Sequence, residues 1–195
     1  MSAQQPLRVD RRRRVTLQAS AALGVALGAP ALFSGCAPAP ISLPEFGSMA
    51  AAQRTLEALK PRPLRMASGW DMAHVLHHVA QSVEYSLNGF PLLKPAWFRT
   101  TVGPAAFAVF EARGRMTHGL DEPIPGSADI ADGQPLPVAV DHLVAALAAF
   151  ERHAGPLAPH FADGPLDKPA FSRAHLMHLA NHWQQVAQDP PKETA

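Results

Sequence analysis

Apolar residues recur three or four positions apart in several stretches of the chain, which is the spacing that places them on one face of an α-helix. Clusters of proline and glycine separate these stretches and predict loops, the longest of them at 118–136 and 155–164. No stretch shows the alternation and β-branched enrichment of a strand. The pattern therefore predicts an all-α domain, with helices at 45–59, 68–87, 96–116, 137–153 and 168–188.

Helix breakers and caps refine this prediction. Pro61 and Pro63 end the first helix, and Ser68 is expected to cap the start of the second. Gly103 and Pro104 interrupt the middle stretch, which predicts a kinked helix or a helix pair crossing a bundle formed by the other four helices. The apolar face of the first helix is expected to consist of Phe46, Met49, Ala50, Leu56 and Leu59. That of the helix at 137–153 is expected to consist of Val140, Leu143, Val144, Leu147 and Phe150.

The first 36 residues differ in kind from the rest of the chain. Residues 11–36 read RRRRVTLQASAALGVALGAPALFSGC, a basic start followed by an apolar run and small residues, which is the plan of a secretory signal. Arg13 and Arg14 before Val-Thr-Leu resemble a twin-arginine signal, and that resemblance implies transport of a folded protein. The ending Phe-Ser-Gly-Cys36 resembles a lipobox, in which the cysteine takes lipid and becomes the mature N-terminus.

Cys36 is the single cysteine of the chain, and its position directly after an apolar run favours lipidation. Two alternatives stay open: an ordinary signal cleaved near the same place, and an uncleaved anchor, for which the apolar run is short. We expect an exported protein of the periplasm or cell envelope, attached to the membrane through a lipid at most. Residues 37–44 are then a proline-containing tether, 45–188 the helical domain and 189–195 a tail.

The positive charge of the chain belongs to this leader. Five of the 17 basic side chains and one of the 16 acidic ones precede Cys36, which leaves 12 basic and 15 acidic groups and a net charge near −3. No patch of lysine or arginine interleaved with aromatic residues follows Cys36. The composition therefore argues against nucleic-acid binding.

Histidine is the residue type that suggests chemistry, since the chain has 10 histidines and none among its first 73 residues. His178 and His182 are four residues apart on the last predicted helix, so their imidazoles share one face and can reach a single ion. A third ligand must come from elsewhere, and the second helix offers a similar pair, His74 and His78. The alternative is that these histidines are hydrogen-bonded core residues without a metal.

Two segments resemble the DinB-like (DinB/YfiT-type) superfamily. At 70–78, Trp-Asp-Met-Ala-His-Val-Leu-His-His places a histidine eight residues after a tryptophan at a helix start, as in the second helix of that superfamily. The segment 178–185, His-Leu-Ala-Asn-His-Trp-Gln-Gln, is similar to its last helix. Gly-Phe-Pro at 89–91 and Gly-Arg-Met at 114–116 resemble a partly exported branch. The resemblance covers most of residues 43–188.

The resemblance implies a four-helix bundle that binds one divalent metal ion, nickel, zinc or iron, through one histidine of the second helix and two of the last. Carried onto this chain, the ligands are His78, His178 and His182. His77 lies beside His78 and leaves a one-residue ambiguity. His74 is a second choice for the same role.

The remaining candidates are residues that contact a substrate or support the ligands, and each could equally be a packing or surface residue. His175 and Gln185 lie three residues to either side of the pair on the last helix, and His160 lies in the preceding loop. The full set of these candidates is His74, His77, His160, His175 and Gln185.

Three neutral imidazoles leave a metal its full charge and an open coordination position, which suits hydrolysis or thiol-group transfer. No general base is evident, because Glu84 faces away from His78 and no HExxH, phosphate-loop or Gly-x-Ser-x-Gly motif is present.

Three functions stay open. The first is a metal-dependent hydrolase or transferase of the cell envelope that acts on an unidentified small molecule. The second is a non-catalytic metal- or ligand-binding lipoprotein, and the third is a structural helical domain without metal. A homodimer is a further expectation, because bundles of this kind often pair.

Overall fold

The computed structural model describes residues 38–61, 64–67 and 69–186. This part of the chain contains six α-helices and a short 3-10 turn, with only two isolated bridge contacts and no strand. The all-α prediction is therefore confirmed. The helices are α1 Met49–Glu57, α2 Met72–Asn88, α3 Ala96–Thr100, α4 Val102–Arg113, α5 Leu136–Arg152 and α6 Lys168–Trp183, and the 3-10 turn is Pro44–Phe46.

The predicted signal, including Cys36, and the predicted tail at 189–195 lie outside the described residues. The described part of the predicted tether packs on the helical domain: the N–H of Ser42 donates to the carbonyl of Gly114 at 2.9 Å, and Arg173 donates to the carbonyl of Ala39 at 2.9 Å. None of the described helices is both long and apolar enough to span a bilayer.

Aspartate caps fix where the two long helices that carry the site begin. The carboxylate of Asp71 accepts from the N–H of His74 at 2.7 Å, and that of Asp167 accepts from the N–H of Ala170 at 2.8 Å. The start of α2 predicted at Ser68 is therefore wrong, because Asp71 supplies the cap and the helix begins after it.

Other predicted helix limits also change. The stretch predicted as the first helix divides into the 3-10 turn and α1, since Ser48 caps α1 through its hydroxyl. Ala50, placed on the apolar face by prediction, is exposed, whereas Ala52 is buried. The break in the middle stretch falls at Thr101, between α3 and α4, and the last helix ends at Trp183.

Helices α1, α2, α5 and α6 pack in a closed ring: α1 contacts α5, α5 contacts α2, α2 contacts α6, and α6 contacts α1. The α2–α5 pair is the most extensive of these contacts. From α5, Leu143, Leu147 and Phe150 are fully buried, as predicted, while Val144 is half-buried. Each fully buried side chain of this size contributes roughly 1.5–3 kcal/mol to the free energy of unfolding.

Helix α6 is buried on all sides over nine consecutive residues near its end. Every residue from Ala174 to His182 is buried, so this segment has no solvent-facing polar side. Its polar residues must therefore find partners inside the protein. The inward position of the histidines on α6 is a direct result of this burial.

Candidate metal centre

Three buried imidazoles meet where α2 packs on α6. Nε2 of His178 lies 3.2 Å from Nε2 of His78 and 3.1 Å from Nε2 of His182. One ligand atom from each of the three histidines lies within 4.8 Å of the others. The geometry thus brings together the three residues that the sequence singled out.

The donor set of this cluster fits a cation. An imidazole nitrogen carries either one hydrogen or one lone pair, so Nε2 of His178 cannot form two good hydrogen bonds with its two neighbours. Whichever tautomers the three rings adopt, at least one of the two short contacts of His178 is not a well-formed hydrogen bond. A cation shared by the three nitrogens removes this conflict, because each lone pair then points to a positive charge.

Burial keeps all three imidazoles neutral. Burial is the main reason that the pKa of His78 is lowered to about 4 and that of His182 to about 3, and repulsion between neighbouring imidazoliums contributes to both shifts. Burial and the same repulsion lower the pKa of His178 well below its usual value. The neutral imidazole is the form that binds a metal, so little proton competition is expected near neutral pH.

Gln185 is placed to orient one of these rings. Nδ1 of His182 and Oε1 of Gln185 are both fully buried and have no hydrogen-bond partner of good geometry among the described residues. The Gln185 side chain raises the pKa of His182, so the two groups are close neighbours. Nδ1 of His182 can donate a hydrogen bond, and Oε1 of Gln185 can accept it. A small shift of the side chains that forms this bond would fix His182 in the tautomer whose Nε2 carries no proton.

His118 adds a fourth imidazole that the sequence analysis did not select. Its ring centroid lies 4.8 Å from that of His178 and 5.2 Å from that of His182. Nδ1 of His118 donates to the carbonyl of Gly119 at 2.6 Å, which leaves the lone pair on Nε2. The residue as a whole is exposed, yet desolvation of the ring against the cluster lowers the pKa of His118.

A cavity of about 300 Å³ opens beside the cluster, and His78 and His178 form part of its wall. Most of the remaining wall is apolar, with the polar side chains of Lys94, Glu122 and Asp163 among it. The apolar side chains that line this cavity include Phe110, Met116, Ile124, Phe161 and Phe171. The cavity therefore suits a small organic molecule that reaches the histidines with one end.

A second cavity, of about 330 Å³, meets His78 from another direction. Its wall includes Trp70 and His74 together with three aspartates of the loop between α4 and α5. Nδ1 of His74 lies 3.5 Å from Asp132 in this wall. His74, the second-choice ligand, therefore lies outside the cluster of three.

His77 faces away from the cluster, towards α5. Its Nδ1 lies 2.7 Å from Nδ1 of His142, and Nε2 of His142 lies 2.8 Å from a carboxylate oxygen of Glu84. The cluster with His178 and His182 therefore contains His78 and not its neighbour His77. The contacts of His77 and His142 also show that Glu84 faces away from the site, as predicted.

The other two candidates line the 300 Å³ cavity without joining the cluster. His175 is buried, with Nε2 3.2 Å from the hydroxyl of Ser86 and its ring stacked on Phe171 at 5.6 Å. Burial lowers the pKa of His175 to about 3. Nδ1 of His160 lies 2.9 Å from the carboxylate of Asp163 in the loop between α5 and α6.

Fold and site together define an all-helical protein with a buried group of three histidines that could hold a metal ion beside an apolar cavity. The chain belongs to the family described as "Protein of unknown function (DUF1569)", whose model matches residues 41–189. Neither the curated proteins nor the solved structures contain a match to this chain.

Proposed function

We propose that this protein is a metal-dependent enzyme, a hydrolase or transferase that holds one divalent ion, nickel, zinc or iron, on His78, His178 and His182. The observation that carries the proposal is the convergence of three buried Nε2 atoms beside a cavity of small-molecule size. Buried neutral imidazoles with unsatisfied contacts at 3.1 and 3.2 Å are costly in a core unless a common partner binds them.

The fold part of the proposal is a DinB-like four-helix bundle with an extra crossing helix. The closed ring of α1, α2, α5 and α6 supports the bundle, and the mutually packed α3 and α4 correspond to the crossing element. The ligands lie on α2 and α6, the second and last helices of this ring.

The bound ion would supply Lewis-acid charge that polarises a carbonyl group or makes water more acidic. The rest of the chemistry comes from the chain. The apolar wall around Phe110 and Phe171 binds the organic part of a substrate and excludes water. Trp70 covers the cluster on another side, with its ring centroid 5.0 Å from that of His78. A hydrogen bond from Nδ1 of His182 to Gln185 would hold His182 in the tautomer that binds a metal.

The test is the metal content of the purified full chain, measured by inductively coupled plasma mass spectrometry beside His78→Ala and His178→Ala. We expect about one ion per chain in the parent and almost none in either variant. His142→Ala is the matched control, because His142 is also a helical histidine but binds Glu84 instead of the cluster. Circular dichroism shows whether each variant keeps its helices.

A parent chain that takes up no nickel, zinc or iron contradicts the proposal. The remaining interpretation is then a structural helical domain whose histidines bind no metal. Metal bound in the parent but retained in both variants places the ion elsewhere. Metal held by the three histidines, with no ligand or substrate able to enter the cavity, favours the non-catalytic metal-binding alternative over an enzyme.

The cellular part of the proposal is export with a lipid on Cys36, and its support is the signal pattern of residues 11–36. The test is incorporation of labelled fatty acid in a bacterial host, with Cys36→Ala as the control. We expect label in the parent and none in the variant. Label absent from both, with a shortened mature chain, supports ordinary cleavage instead.

A further inference from the structure

The loop between α5 and α6 contributes a histidine–carboxylate pair to the wall of the 300 Å³ cavity. His160 and Asp163 both line it, together with the predicted ligands His78 and His178. Sequence patterns reveal no general base because this pair lies in a loop, 15 or more residues from either predicted ligand on α6. The fold brings the pair to the same cavity.

The contact between the two side chains sets where the proton of His160 resides. Nδ1 of His160 lies 2.9 Å from Oδ2 of Asp163, whose side chain is buried. An ionised carboxylate only accepts hydrogen bonds, so Nδ1 carries the hydrogen and Nε2 of the neutral ring carries the lone pair. The backbone N–H of Asp163 lies 3.1 Å from the same Nδ1 and favours the opposite tautomer. The charged acceptor forms the stronger of the two bonds.

Nε2 of His160 is the free edge of the ring. This nitrogen has no hydrogen-bond partner in the described part of the chain, and it is not fully buried. His160 lines the cavity, so a molecule bound there lies beside the ring that carries this lone pair.

The loop is built to hold this pair in place. His160 and Gly164 exchange two backbone hydrogen bonds, of 2.8 and 3.2 Å. Gly164 has a φ of +77°, and a Cβ there would lie 2.4 Å from the carbonyl oxygen of Arg99. The ring of His160 packs between Phe90 and Phe161, at centroid distances of 5.1 and 4.6 Å. A side chain fixed by packing and hydrogen bonds suits a catalytic role.

We propose that His160 is the general base of this cavity and Asp163 its positioning residue, in the hydrolysis of a small ester with an apolar acyl chain. This inference rests on the proposed function. Nε2 takes a proton from a water molecule while the water oxygen bonds to the carbonyl carbon. The same proton then passes from Nε2 to the leaving oxygen as the carbon–oxygen bond breaks. Nδ1–H keeps its bond to Asp163 throughout, and the imidazole is regenerated.

The first test reads the tautomer without reference to activity. Long-range ¹H–¹⁵N NMR on the full chain, labelled on histidine and free of metal, assigns the His160 nitrogens by comparison with His160→Asn. We expect hydrogen on Nδ1 and a lone pair on Nε2, and we expect Asp163→Asn to shift this balance towards Nε2–H. Hydrogen on Nε2 in the parent overturns the proposal, because Nε2 could then not accept a proton.

The second test measures turnover of 4-nitrophenyl butyrate by the zinc-loaded full chain. We expect His160→Asn to lower kcat at least about 100-fold with little change in KM or zinc content. Asp163→Asn should lower kcat less, again at constant KM. His142→Asn is the matched control, since it removes a histidine paired with a carboxylate, Glu84, outside the cavity wall.

The results separate this inference from the proposed function. A His160→Asn variant that binds zinc and keeps its kcat overturns the role of His160 and leaves the metal site intact. A parent chain that binds no zinc contradicts the proposed function, while the NMR result still decides the state of His160. Zinc bound without ester hydrolysis counts against the inference.

Discussion

Trp70 covers His78, with the two ring centroids 5.0 Å apart and the ring planes tilted by 56°. The indole also lies nearly parallel to the ring of His182, at an interplanar angle of 18° and a centroid distance of 6.3 Å. One tryptophan thus contacts two of the three proposed ligands, although it precedes α2 in the chain. This contact makes Trp70 a natural reporter for the site.

We expect Ni²⁺ to quench the fluorescence of Trp70 strongly, because an ion with a partly filled d shell accepts excitation energy at short range. In a titration of the full chain, the Trp70→Phe variant should lose most of this quenching. Trp97→Phe is the control, since Trp97 is 64% exposed on the surface of α3. Quenching that disappears in the control and persists without Trp70 contradicts a site between α2 and α6.

Gln185→Leu should weaken metal binding about 10- to 100-fold while leaving the ligands in place. Leucine removes the amide oxygen that we expect to accept from Nδ1 of His182, and with it the preference for the metal-binding tautomer. Competition with a fluorescent chelator measures the change. The control is Gln184→Leu, because Gln184 is exposed and its amide contacts Asn181. Equal affinity of the Gln185 variant and the parent would show that the tautomer needs no support.

The free energy of unfolding of the metal-free chain should fall as the pH drops from about 6.5 to about 3. Burial lowers the pKa of His175 to about 3 in the folded chain, against a usual value of 6.5. The unfolded chain therefore binds one more proton at this position within that window, so stability decreases by about 1.4 kcal/mol per pH unit for this histidine.

His175→Gln tests this assignment, since glutamine can still bond to Ser86 but does not titrate. In urea unfolding between pH 4 and 6, its stability should depend less steeply on pH, by roughly one proton. His142→Gln is the control for the loss of a histidine near the surface of the helical domain, on α5. An unchanged slope in His175→Gln would mean that His175 is not held neutral in the core.

Gly164→Ala should destabilise the chain more than Gly133→Ala does. Both glycines have a left-handed φ, +77° and +70°, so alanine costs roughly 1 kcal/mol at either position. Only at Gly164 does the new Cβ also collide with the carbonyl of Arg99; at Gly133 nothing lies within 4 Å. We expect the clash to cost roughly 1–3 kcal/mol more in urea unfolding. Equal losses would mean that the loop shifts freely.

The sequence predicts the helices well where one face is apolar. The helix at 137–153 is within a residue of α5, because Leu143, Leu147 and Phe150 repeat at the helical spacing and are all buried. Helix ends that are set by a single capping hydrogen bond are predicted less well. The sequence analysis selected Ser68 as the cap of α2, but aspartate is an equally good capping residue, and only the contact of Asp71 with the N–H of His74 identifies it as the cap.

The same contrast applies to the candidate site. His178 and His182 share a face of one helix, so spacing alone places them together, whereas His78 is paired with them through the resemblance and lies 100 residues from His178 in the chain. His118 and Asp163 lie in loops, where no periodicity relates sequence to direction. Their positions depend on backbone turns and on packing against α6, which single-sequence patterns do not encode.

Helix α6 is the final described helix, and it is enclosed by the rest of the domain over the segment that carries His178 and His182. During synthesis, two of the three proposed ligands therefore leave the ribosome only after α1 to α5 have been made. A helical segment without a solvent-facing side gains little from forming alone, so we expect it to fold together with the partners that bury it. The three-histidine site is then complete only once α6 has docked, so we expect metal to bind after that step.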